Sequence, residues 1–388
     1  MDLNQVDRRH LLQVGGKNAN LGEMKNRLGL PVPEGFVLTI AAYRLLLEEN
    51  LLTERLRQLL LQVDPDYLPG LEEKSRQLQA LLLQAEIPQR LREETEWQYR
   101  KLAASLGYEP RLALRSSGIF EDQEFSFAGQ FLTRLQVSWS DFFPAYLQVL
   151  ASQFSPRALV YLGQKRLTHR EQAMSVGCLA MVPATASGVL FTLDPMGEKS
   201  GVMLVDAAWG LGPAVVDGTV TPDRYLLSRT RPVQVLEQRL GSKVVQLAAA
   251  AADPEPVTRP VPPEQQDQPA LTPEQLQRLG EYALQLEEYF GEPQDIEFAI
   301  DPQGKVWLLQ CRPLQILEPQ EAGPEIAVTQ EARALIRDGT VACFGVAAGP
   351  VFLIKNDADL ADFPEGAILV ARHTNAKYGA VLHKARGM

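Results

Sequence analysis

Leu112–Gln130 reads LALRSSGIFEDQEFSFAGQ, and the other informative segments of the chain make sense as its partners. From Leu112 to Ser117 the residues alternate with the period of a strand: Leu112 and Leu114 face one way, Ala113 and Arg115 the other. That brings one guanidinium to the end of a strand, just before a turn marked by Gly118. The acidic pair Glu121 and Asp122 follows, then Ser126-Phe127-Ala128-Gly129, a loop of small residues with one aromatic. A guanidinium beside such a loop suits a polyphosphate, because the arginine clamps oxygens while backbone N–H groups approach closely. A plain strand and turn with a surface arginine would share this pattern.

The chain has 388 residues, enough for two or three domains, and its composition is that of ordinary globular proteins. Its net charge of −10, without a Lys/Arg run, argues against a nucleic-acid partner, so any phosphate site must be a local basic pocket. Cys178, Cys311 and Cys343 have neither metal-ligand spacing nor a disulfide framework. The N-terminal MDLNQVDRRH is polar, and no apolar run is long enough to span a bilayer. The expected compartment is the cytoplasm, with no membrane partner.

Residues 15–36, GGKNANLGEMKNRLGLPVPEGF, place a glycine turn before Lys17 and an amphipathic helix from Asn18 to Leu28, ended by Gly29 and Pro31. A glycine turn running into a helix start can hold an anion, and Lys17 adds a point charge. The required spacing for a Walker A loop is absent, and a capped surface helix with a solvated lysine is the bland alternative. Helices are expected over Ile40–Asn50, Glu54–Val63, Leu71–Gln84, Pro88–Leu106 and Ser140–Arg166, and strands over Met174–Val182, Ser187–Leu193 and Val202–Val205. Ala248–Pro273, alanine-rich and then proline-rich, reads as an exposed loop or flexible arm. Thr272-Pro273-Glu274 then starts a helix running to about Tyr289, with a cap and a proline at its first position.

Gln294–Pro313, QDIEFAIDPQGKVWLLQCRP, reads as a hairpin turning at Asp301–Gly304. A simple turn pairs Ile300 with Lys305, which sets Asp295 opposite Gln310 and Glu297 diagonal to it, roughly 7–8 Å apart at the backbone. Two side-chain oxygens at that reach can share one Mg²⁺, which completes its shell from phosphates and water. Arg312 follows on the same face. A solvated hairpin face is the alternative.

Together these stretches resemble the pyruvate phosphate dikinase and phosphoenolpyruvate synthase (pyruvate, water dikinase) family. The resemblance lies in RSSG…SFAGQ, GGKNANLGEM…PVPEGF, Met181-Val182 with GVLFTLDP at 188–195, AAWGLG at 207–212 with PDRY at 222–225, and QDIEFA…LLQCRP. Departures are Gly118 where Ala is usual, Leu179 for Gln, Asp206 for Glu, and Pro213 for Glu. The resemblance implies an α/β (α+β) chain: a two-subdomain ATP-grasp fold (1–185 and 186–315), a linker (316–338), and the start of a swivelling phosphohistidine-type domain (339–388) lacking the catalytic histidine.

It further implies ATP between the subdomains, with Lys17, Arg115 and Arg312 as catalytic charges on the phosphates. Gly129, Gln130, Thr133, Asp295 and the Met181-Val182 backbone hinge would also contact the nucleotide, and Glu297 and Gln310 would hold Mg²⁺. The implied role is the ATP-cleaving module of a phosphoenolpyruvate synthase-like dikinase, taking pyruvate, ATP and water to phosphoenolpyruvate, AMP and phosphate. The acceptor, pyruvate on this reading, would be bound elsewhere in a full-length protein, for which a homodimer is one arrangement. Two alternatives stay open. One is a rifampin phosphotransferase or glucan, water dikinase-like enzyme; the other is a nucleotide-binding regulatory remnant, to which Leu179 and Pro213 point. His10, His169, His373 and His383 match no phosphohistidine motif, so no phosphoenzyme is expected of this chain alone.

Overall fold

A computed structural model describes residues 1–64, 68–118, 131–165, 173–195, 201–249, 255–316, 345–360, 362–371, 378, 381–382 and 384–388. In chain order it runs α1 (Leu11–Asn26), β1 (Gly35–Leu38), α2 (Ile40–Glu49), α3 (Leu52–Leu60), α4 (Leu68–Leu83), α5 (Gln89–Leu106), β2 (Leu112–Gly118) and β3 (Thr133–Val137). Next come α6 (Phe142–Ala151), α7 (Pro156–Lys165), β4 (Met174–Ala180), β5 (Ala186–Phe191), β6 (Val202–Trp209), α8 (Pro213–Val216), β7 (Asp223–Ser228) and β8 (Val235–Arg239). The chain closes with β9 (Val245–Ala248), β10 (Val257–Pro260), α9 (Pro263–Gln266), α10 (Pro273–Phe290), β11 (Gln294–Ile300), β12 (Val306–Pro313), β13 (Val351–Ile354) and β14 (Ile368–Ala371).

Two antiparallel sheets organise the molecule. The smaller has the order β1-β4-β2-β3, and the larger β12-β11-β5-β6-β7-β8. One face of the small sheet buries Leu112, Leu114 and Cys178 against helices α2 to α6, whose leucines and aromatics form one apolar cluster. Beneath the large sheet, Leu190, Val205, Tyr225, Ile296 and Phe298 pack on α10, and the same cluster takes in Val14, Leu21 and Met24 of α1. Helix α1 thus belongs to the core of the large sheet while touching the end of β2. The sheet boundary falls in the connection from Met181 to Thr185.

Three sequence expectations need correction. The N-terminal helix starts at Leu11 rather than Asn18, and the glycine turn is a break inside it: Gly15 has φ 72° and ψ 170°. A side chain there would press on Ser117, since a Cβ would stand 2.4 Å from its carbonyl oxygen. The glycine is what lets the break nest against the end of β2. Asn18 then donates from its amide nitrogen to Ser175 Oγ (3.2 Å) and Val14 O (2.9 Å), sewing α1 to the small sheet.

The stretch 248–273 is no structureless arm where it is described. Strands β9 and β10 pair with Val245 opposite Pro260, Leu211 donates to Leu247 O (2.8 Å), and the Trp209 indole donates to Gln265 O (3.1 Å). Pro260 ends a strand and Pro263 and Pro273 open helices, where no N–H is needed, so proline content alone misreads the segment. Ser140–Arg166 is two helices, α6 and α7, parted at Ser155-Pro156.

The expected start of the helix after Thr272 holds. Helix α10 opens with a capping box between Thr272 and Gln275, with Pro273 at the first position. Beyond residue 344, β13 and β14 pair in parallel over a small cluster that includes Ile354, Phe363 and Leu369. Among the described residues no helix is long and apolar enough to cross a membrane.

Gly15→Ala should cost about 2 kcal/mol or more, since left-handed strain adds to the clash with Ser117. Gly29→Ala, at φ 63° with open space around it, should cost only about 1 kcal/mol. Urea unfolding of both variants checks the difference; equal losses would mean that the break does not depend on the contact.

Candidate functional site

The hairpin β11–β12 is where the chemistry gathers. Its turn is one residue longer than a simple hairpin's, because Asp301 Oδ1 accepts from the backbone of Gln303 (3.0 Å) and Lys305 (2.9 Å). Ile300 therefore pairs with Val306, not Lys305. A bulge then intervenes between Glu297 and Phe298, so Glu297 stands directly opposite Gln310 and Asp295 opposite Arg312. The diagonal register expected for Glu297 and Gln310 is thus overturned, and their side chains lie closer than it would put them.

Arg115 reaches this pair from β2. Its Nη2 donates to Glu297 Oε2 (2.5 Å) and Gln310 Oε1 (3.1 Å), and its Nη1 to the carbonyl of Leu309 (3.0 Å), the extra residue of the bulge. One guanidinium from the small sheet is seated on three oxygens of the large one. Leu309 was not legible as a site residue, because a bulge leaves no mark in a strand's hydrophobic pattern. One position on, Arg312 grips Asp295 Oδ2 through Nε (2.9 Å) and Nη2 (2.6 Å).

The two carboxylates are tuned in opposite directions. Burial works to raise Glu297, but the adjacent Arg115 guanidinium, with the charges of Lys17 and Arg312, holds it below the usual carboxylate range. Asp295 is dominated by burial, which pushes it up beyond what Arg312 offsets, and the nearby Glu297 charge adds to the rise.

A cleft of about 360 Å³ lies between the sheets above this cluster. Lys17, Arg115, Glu297, Gln310 and Arg312 line its charged part. Thr133, Met181 and Val182 line it too, among apolar neighbours such as Ala113, Leu135 and Val216. Ala113 and Arg115 share the cleft-facing side of β2, as the alternation predicts. At the hinge the Met181 N–H already donates to Arg111 O (2.9 Å), so that donor is committed within the protein.

Leu179 and Pro213, two of the departures from the family pattern, both line the cleft. Pro213 stands at the first position of α8, where its missing N–H costs nothing. Val216 and Asp217, at the end of that short helix, were missed in the sequence; the Gly212-Pro213 helix-start signal could have found them. Gly129 and Gln130, like the rest of the SFAGQ loop, lie outside the described residues, as do Cys343 and three of the histidines, His169, His373 and His383. Cys178 and Cys311 are buried free thiols. Among the described residues no group of three or more His, Cys, Asp and Glu could hold a metal by itself.

These features define a two-lobed protein of mixed helix and sheet with an ion-paired cleft between its sheets. Residues 11–333 match the family described as pyruvate phosphate dikinase, AMP/ATP-binding domain, and the chain belongs to that family. It is 31% identical over 386 residues to a probable phosphoenolpyruvate synthase of Methanocaldococcus jannaschii, covering 99% of this chain and 32% of that protein. With a probable phosphoenolpyruvate synthase of Archaeoglobus fulgidus it shares 34% over 377 residues, covering 96% and 49%. The chain thus spans about a third to a half of the length of these relatives. Among solved structures, a biotin carboxylase complex from Campylobacter jejuni aligns with a TM-score of 0.27 at 12% identity, over 57% of this chain and 34% of that one, too distant to carry weight.

On acidification Asp295 should titrate above the ordinary aspartate range and Glu297 below the ordinary glutamate range. The depressed Glu297 contributes stability that is full above the ordinary carboxylate range and is lost as pH falls through its lowered value; Asp295, being raised, has the opposite sign. Carboxyl carbon NMR across pH 7 to 3 checks both directions, and a Glu297 midpoint at or above the ordinary glutamate range would contradict them.

Proposed function

We propose that the cleft binds Mg·ATP and that the chain is the ATP-cleaving module, of ATP-grasp type, of a phosphoenolpyruvate synthase-like dikinase. In such an enzyme AMP and phosphate leave and a histidine of a swivelling domain keeps the other phosphoryl group; the segment from residue 339 is read as the beginning of that domain. The observation that carries the reading is one juxtaposition. Lys17, Arg115 and the hairpin residues Glu297, Gln310 and Arg312, from three distant parts of the chain, meet at one part of a cleft whose remaining wall is largely apolar. A nucleotide has that same polarity, a flat base joined to a polyphosphate.

The donor set suits magnesium. Glu297 and Gln310 offer a carboxylate and an amide oxygen that already converge on a single cationic nitrogen, so both can address one point charge. Two protein oxygens are few, but magnesium characteristically leaves positions for phosphate and water. Glu297 and Gln310 would hold the ion, which would supply positive charge against the charge that develops on the phosphates. The protein's own part is positioning: Lys17 and Arg312 supply fixed cations, and Asp295 orients Arg312 by accepting two hydrogen bonds on Oδ2. With Met181 N–H committed, Val182 and the hinge carbonyls are the backbone groups that would address the base. Leu179 and Pro213 would contribute packing only. Pyruvate as acceptor is part of this proposal.

Calorimetry with ATP, with and without Mg²⁺, tests the reading, and no binding at millimolar nucleotide would sink it. Lys17→Ala and Arg115→Ala should each weaken Mg·ATP binding by about 1.5–3 kcal/mol through loss of a charge-assisted contact. Arg57→Ala, an exposed arginine on α3 paired to Glu54, should leave it unchanged. Glu297→Gln should lose the magnesium dependence while the fold survives, because the change is nearly isosteric.

A further inference from the structure

We propose that Arg115 and the magnesium ion compete for the same two oxygens, so that Arg115 is handed from the protein to the ligand's phosphates only when metal arrives with them. The inference rests on the Mg·ATP reading above and adds a coupling that the reading does not require. Arg115 Nη2 donates at once to Glu297 Oε2 and Gln310 Oε1, the two side-chain oxygens suited to the metal, while Nη1 is held on Leu309 O. The guanidinium therefore occupies the meeting point of the oxygen donors. A divalent cation placed there would face a fixed positive charge a few ångströms away in a partly buried site, where such repulsion is poorly screened.

Even if the metal used the other Glu297 oxygen, the two cations would share one carboxylate and oppose each other. A polyphosphate removes the conflict by offering Arg115 new anionic acceptors while supplying further oxygens to the metal. Two consequences follow from the shared seat. Free metal binds poorly in the absence of phosphates, since it must displace a hydrogen-bonded guanidinium. Removing Arg115 then shifts the two affinities in opposite directions, tighter for metal alone and weaker for Mg·ATP. A general loss of site integrity would weaken both.

The test is a Mn²⁺ titration of the 388-residue chain without nucleotide, with free Mn²⁺ read by electron paramagnetic resonance. Arg115→Ala should tighten Mn²⁺ binding by about 5-fold or more, within the usual range of coupling between ligands. Arg115→Gln, which keeps bulk and an amide donor while losing the charge, should do likewise, and it carries the test if the alanine variant does not fold by circular dichroism. Lys17→Ala removes the same charge from the same cleft without vacating the Glu297–Gln310 seat, so its gain should be clearly smaller. Unchanged Mn²⁺ affinity in both Arg115 variants, or an equal gain in Lys17→Ala, would overturn the exchange. If the parent binds Mn·ATP while the Arg115 variants gain nothing, only the exchange fails; if no form binds Mn²⁺ with or without ATP, the proposed function fails with it.

Discussion

One guanidinium bridges the two sheets. Arg115 leaves β2 and closes three hydrogen bonds on Glu297, Leu309 and Gln310, residues more than 180 positions away in the chain. Partly buried ion pairs of this kind contribute little net stability, because desolvation offsets most of the Coulomb gain. What they supply is specificity: an arginine offers a rigid fork, and only one placement of the hairpin against β2 puts all three acceptors within its reach. The bulge at Leu309 is part of that fit, since it turns one more carbonyl toward the fork and sets Glu297 directly across from Gln310.

Behind Arg115 stands a second, quieter constraint. Gly15 bends α1 against the carbonyl of Ser117, two residues beyond Arg115 on the same strand. Asn18 then ties α1 to Ser175 of the neighbouring strand β4, and its backbone N–H approaches Ser117 Oγ (3.3 Å). Lys17 is fixed between these anchors, so its position in the cleft follows from backbone geometry and buried hydrogen bonds. Because α1 also packs in the core of the large sheet, a single helix relates Lys17 to both lobes.

Much of this was legible in the sequence. The strand alternation at Leu112–Ser117 put Ala113 and Arg115 on one face, and both line the cleft. The capping box at Thr272 and the turn at Asp301 were readable because they rest on local chemistry. The hairpin register was not: Asp301 accepts two backbone amides and lengthens the turn, and the bulge shifts the pairing again, with no change in hydrophobic period to betray either. The proline-rich stretch misled for a related reason. Proline forbids a donor, not a strand, and β10 places Pro260 at a ribbon end while α9 and α10 use proline in their first turns. That Gly15 breaks a helix rather than preceding one depends on the tertiary contact with Ser117, which no local window contains.

Charge balance explains why this cleft would need metal as well as cations. The chain carries a net charge of −10, so its overall field repels a polyphosphate, and only local structure can reverse the sign. Among the described residues that line the cleft, Lys17, Arg115 and Arg312 face Asp217 and Glu297, a surplus of one positive charge. Arg115 is already engaged with Glu297 and Arg312 with Asp295. A polyphosphate brings more negative charge than that surplus offsets, and drawing Arg115 toward it would expose Glu297 as an uncompensated, partly buried carboxylate. A divalent cation on Glu297 and Gln310 resolves both difficulties together: it compensates the carboxylate that the arginine leaves, and it neutralises the phosphates that the arginine joins.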